Sequence, residues 1–474
     1  MEKDNTFLGT EPIGKLLFKL SLPAILAQLI NMLYNLVDRI YIGHMPVDGA
    51  LALTGLGVCM PLIMIISAFA CLVSMGGAPR ASIYMGRQDN ETAEKIMGNS
   101  VVLLGIVSIL LTIIISIWNK DILLLFGASE NTIGYASSYM TIYAAGTVFV
   151  QFALGMNAFI TAQGFAKTSM ITILVGAISN IILDPIFIYG FNMGVQGAAI
   201  ATIISQAISA IWVMSFLCGK KTILKVRAKY LRFNPKIILP CIALGLAPFI
   251  MQATESVIEV CYYSSLKKFG GDIAVGAMTI LSSIMQFTML PLQGLGQGAQ
   301  PIASYNFGAG NADRLKETFK KLLLACVVYS GTVWLLVMCV PNVFATIFTS
   351  DVALINFADW ALRIYMAMSI LMGIQIACQM ILIAVGNAKA SVFVAVLRKI
   401  VILIPLIYIL PLMFENKVMA VYMAEPIADF LAVTGTVIIF TIVFKKTLKM
   451  IKTDNISTID IDTQQIEKPN GADL

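Results

Sequence analysis

The chain repeats itself at an offset of 222 residues. Gly164, Ala166, Lys167 and Ser169 return as Gly386, Ala388, Lys389 and Ser391, and Pro79, Ala81, Ser82 and Gly86 return as Pro301, Ala303, Ser304 and Gly308. Both sets lie in short polar breaks between long apolar runs. A duplicated pattern in so apolar a chain narrows the fold to two homologous membrane halves, an architecture common among secondary transporters.

The membrane assignment rests on composition. Only 12% of the 474 residues are charged, against roughly a quarter in soluble proteins, while 58% are hydrophobic and the mean hydropathy is +0.87. Twelve apolar segments reach the ~20 residues that a spanning helix needs. They run over 13–42, 50–77, 96–118, 133–160, 169–191, 195–218, 237–263, 273–298, 319–341, 360–385, 391–413 and 418–444. The first has no small-residue cleavage site and reads as a retained helix, not a signal peptide. The eight cysteines form neither CxxC nor a zinc-like spacing. They imply no metal, cofactor or disulfide framework.

Charge gives the orientation. If both termini face the cytoplasm, the outside loops hold only four of the 32 Lys and Arg, namely Lys120, Lys267, Lys268 and Lys417. That asymmetry is the positive-inside pattern of a multi-pass membrane protein with both termini cytoplasmic. Net charge +6 therefore reports topology, not nucleic-acid binding. The expected organisation is a cytoplasmic N-terminus (1–12), a six-helix lobe (13–218), a basic linker (219–236), a second six-helix lobe (237–444) and a disordered cytoplasmic tail (445–474). The linker, "GKKTILKVRAKYLRFNPK", reads either as an amphipathic segment on the anionic leaflet or as a flexible anchor. Six helices per half make the repeats parallel, related by an axis along the membrane normal. The fold class is an all-α membrane protein of twelve transmembrane helices in two bundles, with a central cleft for substrate.

Polar residues inside apolar segments locate the chemistry. The first segment presents Gln28, Asn31, Asn35 and Asp38 on one helical face; the seventh presents Gln252, Glu255, Glu259 and Tyr262 with the same 3-4-3 spacing. Interhelical hydrogen bonding accounts for any one of them. Two matched stripes with three carboxylates point further, because an acid in hydrocarbon is costly. In the fifth segment Asn180 and Asp184 share a face, and Pro185 follows at once, removing a backbone donor. Counting ~1.5 Å per residue, Asp38, Asp184, Thr202 and Tyr139 fall at similar depths, roughly 6–11 Å from the outer surface. With Asn180 they are expected to surround one pocket. Two carboxylates in a poorly hydrated pocket cannot both stay ionised cheaply. Such a pair suits proton coupling; the same oxygens of Asp38, Asn180 and Asp184 also suit sodium, and the residues leave both open. Pro23 supplies a hinge in the first helix, and Pro185 one in the fifth. Arg398 and Lys399 stand together in the eleventh segment: one is expected to meet an acid or the cleft, the other to snorkel. Glu425 and Asp429, one turn apart on the twelfth, fit a cleft wall or an exposed outer end.

The runs "PLQGLGQGAQPIASYNFGAGN" (291–311), "YNLVDRIYIG" (34–43) and "NIILDPIFIYGFNMGVQGAAIATIISQ" (180–206) resemble the multidrug and toxic compound extrusion (MATE) family, in its DinF/MepA-like prokaryotic branch. The likeness spans about 10–450. It implies two six-helix bundles forming a V and export of lipophilic, often cationic compounds in exchange for protons or sodium. Carried over, the branch's first-lobe cation site falls on Asp38, Asn180 and Asp184, with Tyr139 and Thr202 beside them, and Pro23 falls where the first helix is proposed to bend. One departure stands out. Relatives that bind a cation in the second lobe place acids on helices seven and ten, whereas helix ten here offers only Gln375 and Gln379. Glu255 and Glu259 are then candidates for attracting a cationic substrate, with Gln28, Asn31, Asn35, Gln252, Gln375, Gln379 and Arg398 as further cleft candidates.

The expected function is therefore a cation-coupled antiporter, with the proton ahead of sodium, that exports amphipathic, often cationic drugs and toxic compounds by alternating access; it is not an enzyme and acts as a single chain in the bilayer. A lipid-linked precursor flippase of the same superfamily is the alternative; it calls for cationic residues lining the cleft. A membrane-embedded polyprenyl transferase would need a DxxxD-type metal-diphosphate motif, which the sequence does not contain.

Overall fold

The computed structural model describes residues 7–45 and 49–453. Among them all regular structure is helical. After a turn at Phe7–Thr10 come α1 (Ile13–Gly43), α2 (Gly49–Gly86), α3 (Asn90–Leu125), and α4, whose parts Ile133–Ala145 and Thr147–Ala162 meet at 59°. Helix α5 (Ala166–Pro185) continues as a π-helix over Ile186–Gly190, and α6 covers Gly194–Cys218. The next element, Pro235–Gly308, has 74 residues. Unbroken it would run ~110 Å, several times the ~30 Å hydrocarbon thickness. It is broken at Gly271, where φ 64° and ψ −156° suit glycine alone. Both of its ends pack into one core while its middle packs into another. The element is therefore two antiparallel spans, α7 (235–270) and α8 (271–308). Then follow α9 (Ala312–Cys339), α10 (Val352–Tyr365 and Ser369–Ala384, bent by 49°), α11 (Ala388–Val396, a π-helix over Leu397–Leu403, and Ile404–Met413) and α12 (Lys417–Lys452).

The repeat has a structural basis at each position. Ser82 Oγ donates to the Ala162 carbonyl (2.8 Å), and Ser304 Oγ, 222 residues on, donates to Ala384 (2.9 Å). Asn157 Nδ2 donates to the Ser169 carbonyl, and Gln379 Nε2 to that of Ser391. Gly164 and Gly386 both end a helix with positive φ (85° and 78°), the left-handed cap that glycine accepts without strain. A Cβ on Gly86 would strike the Tyr305 carbonyl, and one on Gly308 would strike the Ile83 carbonyl, Ile83 and Tyr305 themselves being 222 apart. The pseudo-twofold axis thus passes between Gly86 and Gly308. The duplicated motifs hold each half together and join the two.

Packing divides the molecule unevenly. One core combines side chains of both halves, from Leu8, Leu16 and Met85 to Ile302, Leu382 and Phe444. Two further cores are private. One holds residues between Ile42 and Ala199, the other residues between Ile258 and Ala428. The halves are therefore fused at the end that carries the described chain ends and separate at the other, which is a V. The arms touch within the fused end at α1–α8 and α2–α7, where Gly294 and Gly298 lie on Ile25 and Ser21, and Gly76 and Gly245 lie on the Cys241 and Leu72 carbonyls. Small residues let the backbones approach this closely.

The segment 219–236 is neither loose nor set apart on a membrane surface. Gln163 Oε1 accepts from Thr222 Oγ1, Ile223 N and Leu224 N (2.7–2.8 Å). Glu94 accepts from Lys225 N and Arg227 Nε, and Asn99 Oδ1 from Asn234 N. Leu224 is fully buried and Tyr230 nearly so. The basic linker is a strap bonded along the first half, because three buried acceptors there need donors. The last helix also departs from expectation. It runs through Lys452, eight residues into the stretch read as tail, with Thr447 and Ile451 buried; residues 454–474 and 1–6 lie outside the described residues.

Candidate functional site

Helix α1 packs along α5. The one-face spacing of Asn180 and Asp184 turns both toward α1, where Asp38 is buried. Asn180 Nδ2 donates to Asp184 Oδ1 at 3.1 Å. Asp38 lies within electrostatic reach of Asp184 and of Tyr139 on α4, whose hydroxyl meets that of Thr202 on α6. The Thr202 proton is already given to the Ala198 carbonyl (2.9 Å), so Thr202 is an acceptor toward Tyr139. The five residues singled out at similar depth are thus brought together, from four helices.

Asp38 Oδ1, Asn180 Oδ1 and Asp184 Oδ2 are buried and receive no hydrogen bond. All three are acceptors, and an unmatched buried polar atom costs about 1–3 kcal/mol, more when charged. What this pocket calls for is positive: a proton, which turns one acceptor into a donor, or a small cation shared by the oxygens. Sequence reasoning passed over Tyr34. One turn before Asp38, it lies near both Asp38 and Asp184, and its i−4 spacing from Asp38 was the available signal. It also passed over Tyr189, whose hydroxyl donates to the Tyr41 carbonyl (2.7 Å) and ties the π-helical end of α5 to α1. Helix α1 continues through Pro23 without interruption, while the irregularity after Pro185 takes the form of the π-helix. Along α1, Asn35 Nδ2 bonds the Asn31 carbonyl (2.7 Å), and Gln28 is half-buried.

The second half differs. Arg398 and Lys399 lie in the π-helical part of α11 and both meet carboxylates, so neither snorkels. Arg398 bonds Asp429 Oδ1 through Nε (2.9 Å) and Nη2 (2.7 Å), and Glu425 Oε1 through Nη2 (2.9 Å). Tyr262 donates to Glu425 Oε2. Arg398 is thus engaged in an ion-pair network with Glu425 and Asp429, and both acids are buried, so they do not form an exposed end. Lys399 pairs with Glu255 and donates to the Met251 carbonyl (3.0 Å). Gln379 is buried and bound to Ser391, as its repeat partner Asn157 is to Ser169. Gln375 is buried as well. Gln252 and Glu259 stay partly exposed on α7.

A family model described as MatE matches residues 23–186 and 248–409. The multidrug export protein MepA of Staphylococcus saprophyticus is 26% identical over 412 residues, covering 86% of this chain and 88% of the relative. That of Staphylococcus haemolyticus is 26% identical over 422 residues, 89% and 92% of the two chains. Among solved structures, a MATE protein in its bent conformation superposes with a TM-score of 0.89 at 21% identity, over 95% of this chain and all of that one. A MOP superfamily transporter from Pyrococcus furiosus gives 0.86 at 21%, over 95% and 99%. The structural likenesses speak for the fold.

Proposed function

The chain belongs to the MATE family, its family model covering well over half of the residues, and from that premise we propose that it exports amphipathic, mainly cationic small molecules by cation-coupled antiport. Multidrug export is the named activity of the MepA relatives. The observation that carries the coupling is the trio of donor-less buried oxygens on Asp38, Asn180 and Asp184. We place the proton ahead of sodium: a proton on either carboxyl turns one of these acceptors into a donor and removes one of two buried like charges. In the cycle, protonation of this pair disfavours the substrate-bound, outward-open V, and substrate leaves outside. One pH unit supplies ~1.36 kcal/mol per proton, and each net charge moved adds ~2.3 kcal/mol per 100 mV. Charge asymmetry of the loops supports cytoplasmic termini in a prokaryotic plasma membrane, and both halves of the cleft reside in one chain.

The flippase reading loses its main support, since the two cations that would grip a diphosphate, Arg398 and Lys399, already have carboxylate partners.

The test is uptake of a fluorescent cation into inside-out proteoliposomes, under a pH gradient in sodium-free buffer or a sodium gradient at equal pH. Uptake on the pH gradient alone, lost in Asp38→Asn and Asp184→Asn, supports the proton site. Uptake only with sodium makes the same residues metal ligands. Uptake under neither gradient sinks the export reading.

A further inference from the structure

We propose that Lys399 is a tethered counter-cation that sets the charge selectivity of a second-half cleft site formed by Glu255 and Glu259, so that the site takes one monovalent cation. This deepens the export reading and rests on it.

The faces of α7 place these groups. Leu239, Leu246, Val257 and Val260 form its exposed apolar side. Ile258 and Tyr262 are buried in the second half's own core. Phe249 packs edge-on against Phe69 of α2 (5.0 Å between centroids), and Ser256 touches Met64. At 100° per residue, the sector left between the core face and the α2 face carries Gln252, Glu255 and Glu259, opposite the apolar side. Those acids therefore look into the space between the arms. Arg39 on α1 of the other half lies within electrostatic reach of Glu259.

The ion pair is lopsided. Lys399 has 7% of its side chain exposed, Glu255 51%. The ammonium is screened behind the carboxylate, held also by the Met251 carbonyl, while the carboxylate remains open from the cleft side. A ligand meets Glu255 first and Lys399 not at all. Arg398 cannot neutralise Glu255, since its guanidinium is taken by Glu425 and Asp429. Glu259, one turn on, makes no ion pair among the described residues. Glu255, Glu259 and Lys399 sum to one negative charge, and Arg39 of the other arm weakens the field at Glu259 further. A monocation therefore comes nearer to balance than a dication. A dication leaves an excess positive charge in a cleft of low dielectric, where uncompensated charge is costly.

Ethidium and propidium share one chromophore and differ chiefly in charge, +1 against +2, so their affinity ratio isolates the effect. Binding of each is read by fluorescence anisotropy on the purified full chain, beside the uptake assay. The wild type should bind ethidium more tightly. Lys399→Met, which leaves two free acids, should move the ratio at least tenfold toward propidium, and Lys399→Arg should restore it. Glu255→Gln provides a second variant of opposite sign: it should weaken both dyes, propidium more. If folded Lys399→Met and Glu255→Gln keep the ratio within about twofold of wild type while uptake persists, the selectivity inference falls and the export reading stands. If the wild type neither binds nor moves either dye, both fall.

Discussion

Replacing Arg398 by Met should cost the fold about 3 kcal/mol. Arg398 donates three hydrogen bonds to two carboxylates, and the side chains of Arg398, Glu425 and Asp429 are only 13%, 6% and 2% exposed. Methionine fills much of the volume but leaves two buried acids one turn apart on α12, with Tyr262 as the sole donor to Glu425. Removing one partner of a buried ion pair costs about 3–5 kcal/mol. The low end applies, because Lys399 lies within electrostatic reach of both acids and takes up part of the imbalance. A control of matched length is Lys321→Met, which breaks the i,i+4 pair with Glu317, whose partners are 42% and 47% exposed; such a pair contributes about 0.3–0.5 kcal/mol. SDS titration in mixed micelles, followed by fluorescence of the four tryptophans, gives both numbers. About two decades in the unfolding constant should separate the variants, at 1.4 kcal/mol per decade. The triple variant Arg398→Met/Glu425→Gln/Asp429→Asn should recover most of the loss, since no charge is left buried. An Arg398→Met variant as stable as Lys321→Met would refute the network as described.

Three further outcomes are expected. Gly76→Val and Gly245→Val force a side chain into the Cys241 and Leu72 carbonyls; no rotamer relieves a clash with backbone, so both should lose export and thermal stability, whereas Gly105→Ala, with open space around it, should be neutral or gain up to ~1 kcal/mol. Gly386→Ala should cost about 1–2 kcal/mol for its positive φ, and Gly164→Ala more, because its new methyl also meets the Phe7 ring; paired melting curves compare them. Gln163→Leu removes the acceptor of three strap hydrogen bonds, at about 1–3 kcal/mol, and trypsin should then cut after Lys220, Lys221 and Lys225 faster than in wild type.

The helical order and the twofold repeat were legible because both are written in periodicity: apolar runs of bilayer length, and identical small residues 222 apart. The helices nevertheless outrun those runs at the fused end. Helix α2 goes on to Gly86 and α8 to Gly308, since protein packing there replaces lipid and no longer demands apolar residues. Asp38, Asn180 and Asp184 were legible as costly residues at one depth. Arg398 and Lys399 were not: their partners Asp429, Glu425 and Glu255 stand on other helices, 27 to 144 residues away in sequence. The role of Gln379 in bonding Ser391 was legible only through its repeat partner, Asn157, which bonds Ser169. The strap was misread because its anchors, Gln163, Glu94 and Asn99, lie roughly 60 to 135 residues away in sequence.

The contact at Gly86 and Gly308 has one more consequence. Where residue i of one half meets j of the other, and j meets i in return, the interface is isologous, the kind that closes a C2 dimer. The two halves meet as two copies of a single six-helix subunit would, and the strap at 219–236 makes that dimer one polypeptide. A true homodimer must place every residue twice. Covalent fusion lifts that obligation away from the axis, which is how one arm can carry Asp38 and Asp184 while the other carries its own tethered cations, Arg398 and Lys399.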